Sequence, residues 1–220
     1  MIYNMVSIMK KILFLLSLSV LMAACCTNPT ENAQIFDEEG SVVGLDVSHH
    51  NGDVNFEKWK KGRNVEFCFI KITEGVHFID SLADHHYRKA KEAGLYVGFY
   101  HYFRPQRSGK KQFLFMKAQL DKYDYDLIPV IDVESKNCDW KHPDAYKNLD
   151  EFMESFYKCY GYYPILYTIY KTIFDRYPQC ITWGAINAKR RKDIRQRVYK
   201  NIDIDYCDDL YSIAIPNDVE

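Results

Sequence analysis

The residues best suited to chemistry are two acids, Asp132 and Glu134, at the end of the apolar stretch Leu127–Glu134. Alternate side chains of a β-strand point to the same face, so the two carboxylates lie side by side with Cα atoms about 6.5–7 Å apart. Like charges that close in a partly dry site cannot both ionise freely, which leaves one acid protonated near neutral pH. Glycoside hydrolysis requires such an acid and an anion. The alternative is a strand that ends in two solvated acids.

The same alternation of polar residues recurs near both ends of the chain. Asp46 and Ser48 close a short apolar strand. Asp203 and Asp205 share one face of a short strand over residues 202–206. Acids from separate strands form one site where the strand ends meet, so we expect these side chains to lie near the first pair.

The elements that would position these acids alternate between strand and helix. Five apolar strands are predicted, each ending in polar residues: Val43–Ser48, Phe67–Thr73, Leu95–Tyr102, Leu127–Glu134 and Pro164–Thr168. Helices are predicted over residues 55–61, 81–93, 108–123 and 146–160. This alternation indicates a parallel sheet, and polar residues at the carboxyl ends of strands are typical of barrel enzymes. The sequence therefore predicts an α/β fold of the TIM-like barrel type.

The last fifty residues follow this pattern less closely. They predict a short helix over residues 171–177, a strand over residues 180–187 and the acidic strand over residues 202–206. The segment between them, residues 188–200, is rich in Lys and Arg. This makes seven strands, whereas a closed barrel of this kind has eight. We therefore expect a barrel that is one strand short, or altered, in its C-terminal third.

Length and composition set the class of protein. The chain has 220 residues, of which 47% are apolar, enough for one large core in a single domain. A net charge of −1 argues against nucleic acid as a partner, because nucleic-acid-binding proteins normally carry a basic excess. The aromatic content of 15%, with 18 Tyr, suits a sugar-binding cleft, since rings stack on the apolar faces of sugars. We expect a monomer.

The N-terminus carries an export signal. Lys10 and Lys11 precede an apolar run, Ile12–Ala24, that is too short to span a membrane as a structural helix. The run ends in small residues before Cys25, which resembles the processing box of bacterial lipoproteins. We therefore predict a signal peptide over residues 1–24, a flexible tether over residues 25–41 and a catalytic domain over residues 42–220. Lipid on Cys25 would anchor the exported protein to a bacterial membrane, facing the periplasm or on the outer membrane. A plain secretory signal is the alternative.

Metal ions and cofactors are not expected. The seven cysteines include no metal-type Cys-x-x-Cys pair, and the histidine pairs at positions 49–50 and 85–86 do not converge by spacing. An oxidising envelope would permit disulfides among the cysteines of the second half, with a pairing that the sequence leaves open. These cysteines are Cys138, Cys159, Cys180 and Cys207.

Six blocks of sequence, taken together, resemble glycoside hydrolase family 25, the Chalaropsis-type lysozymes. The blocks are Gly44–Ser48 with Asn51-Gly52, Phe69–Gly75, Gly94–His101, Pro129–Glu134, Leu166–Thr168 and Ile202–Asp205. The resemblance implies an irregular barrel of type (β/α)5(β)3 and N-acetylmuramidase activity on peptidoglycan. It implies Glu134 as general acid with Asp132 beside it, and Asp46 and Asp203 as further acids of the cleft. Substrate-binding candidates are Tyr100, Tyr167, Lys71, Glu74, Trp183 and Asp205.

The resemblance weakens after Tyr177. The family normally has two Trp-containing strands there, one of Trp-x-Ala type and one of Trp-Gln-Tyr type, whereas this chain offers only Trp183-Gly184-Ala185. The basic residues in the place of the second strand predict a solvated helix face, or a surface attracted to acidic envelope polymers. They are Arg190, Arg191, Lys192, Arg195 and Arg197.

Three functions remain open from the sequence. The first is a lipid-anchored muramidase that cleaves peptidoglycan. The second is a peptidoglycan-binding lipoprotein of the same fold that has lost turnover through its altered C-terminal third. The third, a chitinase-like hydrolase, is disfavoured because Val130 and Ile128 stand where such enzymes have further acids.

Overall fold

The computed structural model describes residues 40–134, 138–185, 193–199 and 201–216. The predicted signal peptide, nearly all of the tether with Cys25, and three of the basic residues, Arg190, Arg191 and Lys192, lie outside the described residues. Within those ranges, no helix has the length and apolar character needed to cross a membrane.

Nine strands and five α-helices form the described part of the chain. The strands are β1 (Val42–Val47), β2 (Val65–Glu74), β3 (Phe78–Ile79), β4 (Tyr96–Tyr102), β5 (Val130–Val133), β6 (Ile165–Thr168), β7 (Thr182–Ala185), β8 (Ile194–Tyr199) and β9 (Ile202–Cys207). The helices are α1 (Phe56–Arg63), α2 (Ala83–Glu92), α3 (Gly109–Leu120), α4 (Ala145–Tyr160) and α5 (Lys171–Arg176).

Eight of these strands close into a barrel. Hydrogen bonding follows the order β1-β9-β8-β7-β6-β5-β4-β2, and β1 pairs with β2 to complete the ring, while the short β3 forms a hairpin with β2. Within the eight-stranded barrel, all neighbouring strands other than β9 run parallel, whereas β9 runs antiparallel to both β8 and β1. Five strand–helix units followed by three strands give the (β/α)5(β)3 arrangement, so the predicted barrel class is confirmed.

The expectation of a missing strand is wrong. The basic segment contains β8, which pairs in parallel with β7 and antiparallel with β9, so the barrel closes. Alternation explains the difference: Ile194 is buried in the barrel interior, while Arg195 faces outward and donates to Asp208 at 2.8 Å. A strand with cations on its outer face gives no apolar run, and its charges suggested a helix instead.

Aromatic rings fill the lower half of the barrel interior. Phe67 and Phe69 of β2 are fully buried there and contact each other edge to face, with ring centroids 5.8 Å apart. Gly44 and Gly98 make room for them, because a Cβ at these positions would lie 2.1 Å from the ring of Phe67 and 2.5 Å from that of Phe69. Aromatic side chains therefore pack this part of the interior, and a cavity opens at the carboxyl ends of the parallel strands.

Five cysteines lie in the described part of the chain, and all of them are free thiols. Cys68, Cys180 and Cys207 are buried, Cys138 is partly exposed and Cys159 is exposed. The disulfides that an oxidising envelope would permit are therefore not formed in this structure.

Candidate active site

A cavity of about 610 Å³ opens at the carboxyl ends of the parallel strands. Strand β5 contributes Asp132 and, directly after its last residue, Glu134. Asp132 lies opposite Tyr102 of β4 and Tyr167 of β6 and is only 9% exposed, whereas Glu134 is partly exposed. The main-chain oxygen of Glu134 accepts a hydrogen bond from the indole Nε1 of Trp140 at 2.8 Å. One strand therefore presents both acids, the first deep in the cavity and the second nearer its mouth.

A second pair of acids comes from β1 and β9. Asp46 and Asp203 are directly opposite each other in this antiparallel pair. Because β9 runs in the reverse direction, Asp203 near its N-terminal end reaches the same rim as the C-terminal end of β1. Asp46 Oδ2 accepts from Gln196 Nε2 of β8 at 2.7 Å, and Gln196 Oε1 accepts from the hydroxyl of Tyr167 at 2.9 Å. Gln196 thus connects Asp46 of β1 to Tyr167 of β6, the strand beside β5.

The acids retain protons more strongly than free carboxyls. Burial, with the nearby charges of Asp203 and Glu134, raises the pKa of Asp46 from 3.8 to about 7. Burial, followed by the charges of Glu134 and Asp46, raises the pKa of Asp132 well above its usual range. Burial and the charge of Glu134 also raise the pKa of Asp203. Burial therefore favours the protonated form of Asp132, the deeper acid of the β5 pair.

The opposite side of the cavity, formed by β2, β3 and β4, carries cations. Lys71 Nζ donates to Glu74 at 2.6 Å, and Arg104 donates to the same carboxylate through Nε at 3.0 Å. Burial alone would raise the pKa of Glu74, but these two hydrogen-bonded cations lower it. Both cations also lie over the ring of Tyr102, at 4.9 and 4.8 Å from its centroid. This side of the cavity is therefore a fixed ion-pair network next to the acids.

A turn of 3-10 helix after β1 brings two histidines to the rim. His49 Nδ1 is 2.6 Å from Asp80 Oδ2, and the buried Asp80 also accepts the main-chain N–H of His49. The other predicted histidine pair lies away from the cavity: His85 Nε2 is 2.7 Å from Asp53, and His86 Nε2 is 2.7 Å from the carbonyl of Gly52. In the described ranges, no three His, Cys, Asp or Glu side chains are grouped as a metal site would require.

Nine of the ten residues proposed for the site from the sequence line this cavity. They are Asp46, Lys71, Glu74, Tyr100, Asp132, Glu134, Tyr167, Trp183 and Asp203. Asp205, the tenth, does not line the cavity. It is fully buried one strand period below Asp203, where Oδ1 accepts from Trp183 Nε1 at 3.0 Å. The alternation of β9 therefore places both acids on the inner face, but only Asp203 at the open end.

Seven further residues line the cavity that the sequence did not assign to the site: Ser48, His49, His50, Phe78, Tyr102, Arg104 and Gln196. Ser48, the histidines and Tyr102 lie at or just after strand ends, so the rule that chemistry follows strand ends could have found them. Gln196 was missed because the arginines on either side of it in the sequence did not indicate a strand. Phe78 lies in the short strand β3 and Arg104 in the loop after β4, and no spacing rule indicates their position.

Comparison with known proteins gives the family. The model of glycosyl hydrolases family 25 matches residues 45–183, more than half of the chain. The protein therefore belongs to glycosyl hydrolase family 25, a family of lysozyme- and muramidase-type glycoside hydrolases.

Individual relatives agree at modest identity. The chain is 29% identical over 164 residues to the uncharacterized protein YegX of Escherichia coli K12, covering 70% of this chain and 59% of YegX. It thus spans about three fifths of that relative's length. It is also 37% identical over 71 residues to lysozyme M1 of Streptomyces globisporus, covering 32% of this chain and 24% of that enzyme.

Solved structures share the barrel. A family 25 glycosyl hydrolase from Bacillus anthracis superposes with a TM-score of 0.65 at 28% identity, over 76% of this chain and 88% of that one. A family 25 lysozyme from Aspergillus fumigatus superposes with a TM-score of 0.68 at 24% identity, over 78% of this chain and 96% of that one. The second likeness is one of fold.

Proposed function

We propose that the protein is a peptidoglycan muramidase. It would hydrolyse the β-1,4 bond between N-acetylmuramic acid and N-acetylglucosamine. The observation that carries the proposal is the convergence of the β5 acids with those of β1 and β9 in one cavity at the carboxyl ends of the strands. The similarity to lysozyme M1 supports the substrate class.

Glu134 acts as the general acid in this proposal. It is the more exposed member of the β5 pair, so a leaving-group oxygen at the cavity mouth can reach it. The glycosidic C–O bond breaks, the leaving oxygen takes the proton of Glu134, and water later supplies a hydroxyl to the anomeric carbon and returns a proton. Asp132 lies beside Glu134, and burial followed by the charge of Glu134 raises the pKa of Asp132 well above its usual range.

The other acids stabilise and orient the sugar. Asp132, with Oδ1 buried and without a partner among the described residues, can bind the acetamido N–H or a water molecule. Asp46 and Asp203 face the developing positive charge at the anomeric centre from the β1–β9 side. Tyr100, Tyr167 and Trp183 supply rings for the sugar faces.

The test is release of reducing ends from purified peptidoglycan, with Glu134→Gln as the matched control. We expect release by the wild-type protein and loss of more than about 100-fold in the variant, since general acid catalysis typically contributes 10²–10⁴-fold. Equal release by the two proteins would exclude Glu134 as the acid. Circular dichroism of both proteins shows whether the fold is unchanged.

A second candidate function is binding to peptidoglycan without turnover. The observation in its favour is the sequence of β8, which contains Arg195-Gln196-Arg197 and no Trp-Gln-Tyr pattern. Pelleting with insoluble peptidoglycan separates the two candidates. Binding by wild type and Glu134→Gln alike, with no reducing ends from either, would favour the binding protein.

We also propose export and lipid anchoring through Cys25, with peptidoglycan as the partner facing the anchored domain. Metabolic labelling with a fatty-acid analogue should mark the wild-type protein and not the Cys25→Ser variant. Unmarked wild-type protein in the medium would indicate a plain secretory signal instead.

A further inference from the structure

Asp205 is a buried acid, and none of the lysines and arginines that the structure describes forms an ion pair with it. Its exposure is 0%, and its single hydrogen-bond donor among the described residues is Trp183 Nε1, 3.0 Å from Oδ1. Oδ2 is buried as well and accepts no hydrogen bond from any residue that the structure describes. An ionised carboxylate in such surroundings costs several kcal/mol unless it is paired with a cation.

The groups around Asp205 are neutral or negative. Across the sheet it lies opposite Gly44 of β1 and Gln196 of β8. The charges that act on it most strongly are the carboxylates of Asp46 and Asp203. Three neutral side chains also interact electrostatically with Asp205: Tyr167 of β6, Cys68 of β2 and Cys207 of β9.

The cations of β8 lie on its other face. Strand alternation turns Arg195 and Arg197 away from the side that carries Gln196, and Arg195 is bound to Asp208 and Ser41. A proton is therefore the means of neutralising Asp205. It also converts Oδ2 from an acceptor without a donor among the described residues into a donor. The acceptor is the carboxylate of Asp46, which is the diagonal neighbour of Asp205 on the same face of the β1–β9 pair.

We infer that Asp205 is a positioning residue that stays protonated, donating its O–H to Asp46 while accepting the indole N–H of Trp183. Burial, with the charges of Asp46 and Asp203, raises the pKa of Asp205 well above its usual range, in agreement with this assignment. Of the three acids Asp46, Asp203 and Asp205, the last then contributes no negative charge to the site. Asp46 is held from below by Asp205 and from the side by Gln196.

The inference has a direct test in the titration of Asp46, which does not depend on catalysis. Carboxyl ¹³C NMR of protein labelled at aspartate follows Asp46, whose resonance is assigned by its loss in Asp46→Asn. Asparagine has the shape of a protonated aspartate, so Asp205→Asn should change the pKa of Asp46 by less than about half a pH unit. If Asp205 were ionised, removing its charge would lower the pKa of Asp46 by more than about one pH unit. That second result would overturn the inference.

The effect on turnover rests on the proposed function and is measured separately. Asp205→Leu, which keeps the volume and removes the hydrogen bonds, should lower kcat by more than about tenfold with little change in KM. The variant Asp205→Asn, which can still form both hydrogen bonds, should keep at least about a third of the wild-type kcat. Loss of kcat in a correctly folded Asp205→Asn would show that ionisation of Asp205 is needed and would contradict the inference. If wild-type protein releases no reducing ends, the proposed function fails while the NMR titration still decides the state of Asp205.

Discussion

The cavity contains two acid pairs that are built in different ways. Asp132 and Glu134 come from one strand, so the two-residue period of β5 alone sets their relative position. Asp46 and Asp203 come from opposite ends of the domain and meet only because β9 runs antiparallel beside β1. The first pair is therefore a local property of the chain, and the second is a property of the closed barrel.

The two pairs should therefore differ in role, with the β5 pair acting in turnover and the β1–β9 pair also contributing to folding stability. The β5 pair contains the partly exposed Glu134, whereas the β1–β9 pair is held by Gln196 and underlain by the buried Asp205. We expect changes at β5 to act mainly on turnover. Changes on the β1–β9 side should act on both turnover and folding stability, because three strands share that network.

The largest effect should come from Glu134→Gln, which we compare with the single variant Asp46→Asn in the same assay. We expect Glu134→Gln to lower the release of reducing ends by about 10³-fold, within the range of general acid catalysis. Asp46→Asn should lower it by about 30-fold, because it removes electrostatic stabilisation but no transferred proton. A loss at Asp46 that equals the loss at Glu134 would mean that the two pairs do not differ in role.

The stability of the β1–β9 side should depend on pH. Asp46 has a pKa of about 7 in the folded protein against 3.8 ordinarily, so the folded state binds this proton more tightly and becomes less stable as pH rises from about 4 to 7. About three pH units correspond to about 4 kcal/mol, of which we expect roughly half because the residue is partly exposed. Urea unfolding should thus show Asp46→Asn to be more stable than wild type by about 2 kcal/mol at pH 8, with little difference at pH 4. The same difference at both pH values would contradict the assigned pKa.

Gln196 connects the two sides, and its removal should uncouple them. Gln196→Leu loses hydrogen bonds to Asp46 and Tyr167 and should lower kcat by about tenfold, which corresponds to about 1.4 kcal/mol. Val198→Ala, on the same strand with 76% of the residue exposed, is the matched control and should leave kcat within about twofold. Similar losses in both variants would indicate a general disturbance of β8.

The smallest effect should come from Trp140, which holds the main chain of Glu134. Trp140→Phe keeps a ring against Tyr146 and Tyr170 but loses the 2.8 Å hydrogen bond to the carbonyl of Glu134. We expect kcat to fall about fivefold with KM unchanged, since one hydrogen bond contributes about 1 kcal/mol. Trp59→Phe, whose ring contacts Tyr199, serves as control and should match wild type. A rise in KM instead would place Trp140 in substrate binding.

Sequence reasoning was most informative where function depends on one strand. The Asp132–Glu134 pair follows from a two-residue period, and the five strand–helix units follow from the alternation of apolar runs with helical patterns. It was wrong at β8, because arginines on the outer face conceal a strand whose inner face carries Ile194 and Gln196. It gave no depth for Asp205, since alternation gives the face of a strand but not the distance from its open end. The roles of the nine cavity residues stay predictions.

The pairing of β1 with β9 determines when the second acid pair can form during synthesis and folding of the chain. A ribosome makes the chain from its N-terminus at about 5–20 residues per second, so β1 exists long before the strand that completes its edge. Contacts between segments so distant in sequence form late, because closing a long loop must precede any gain from pairing. Asp46 and Asp203 therefore meet only in a finished chain. A fragment that ends before β9 lacks Asp203, so the second acid pair cannot form in it.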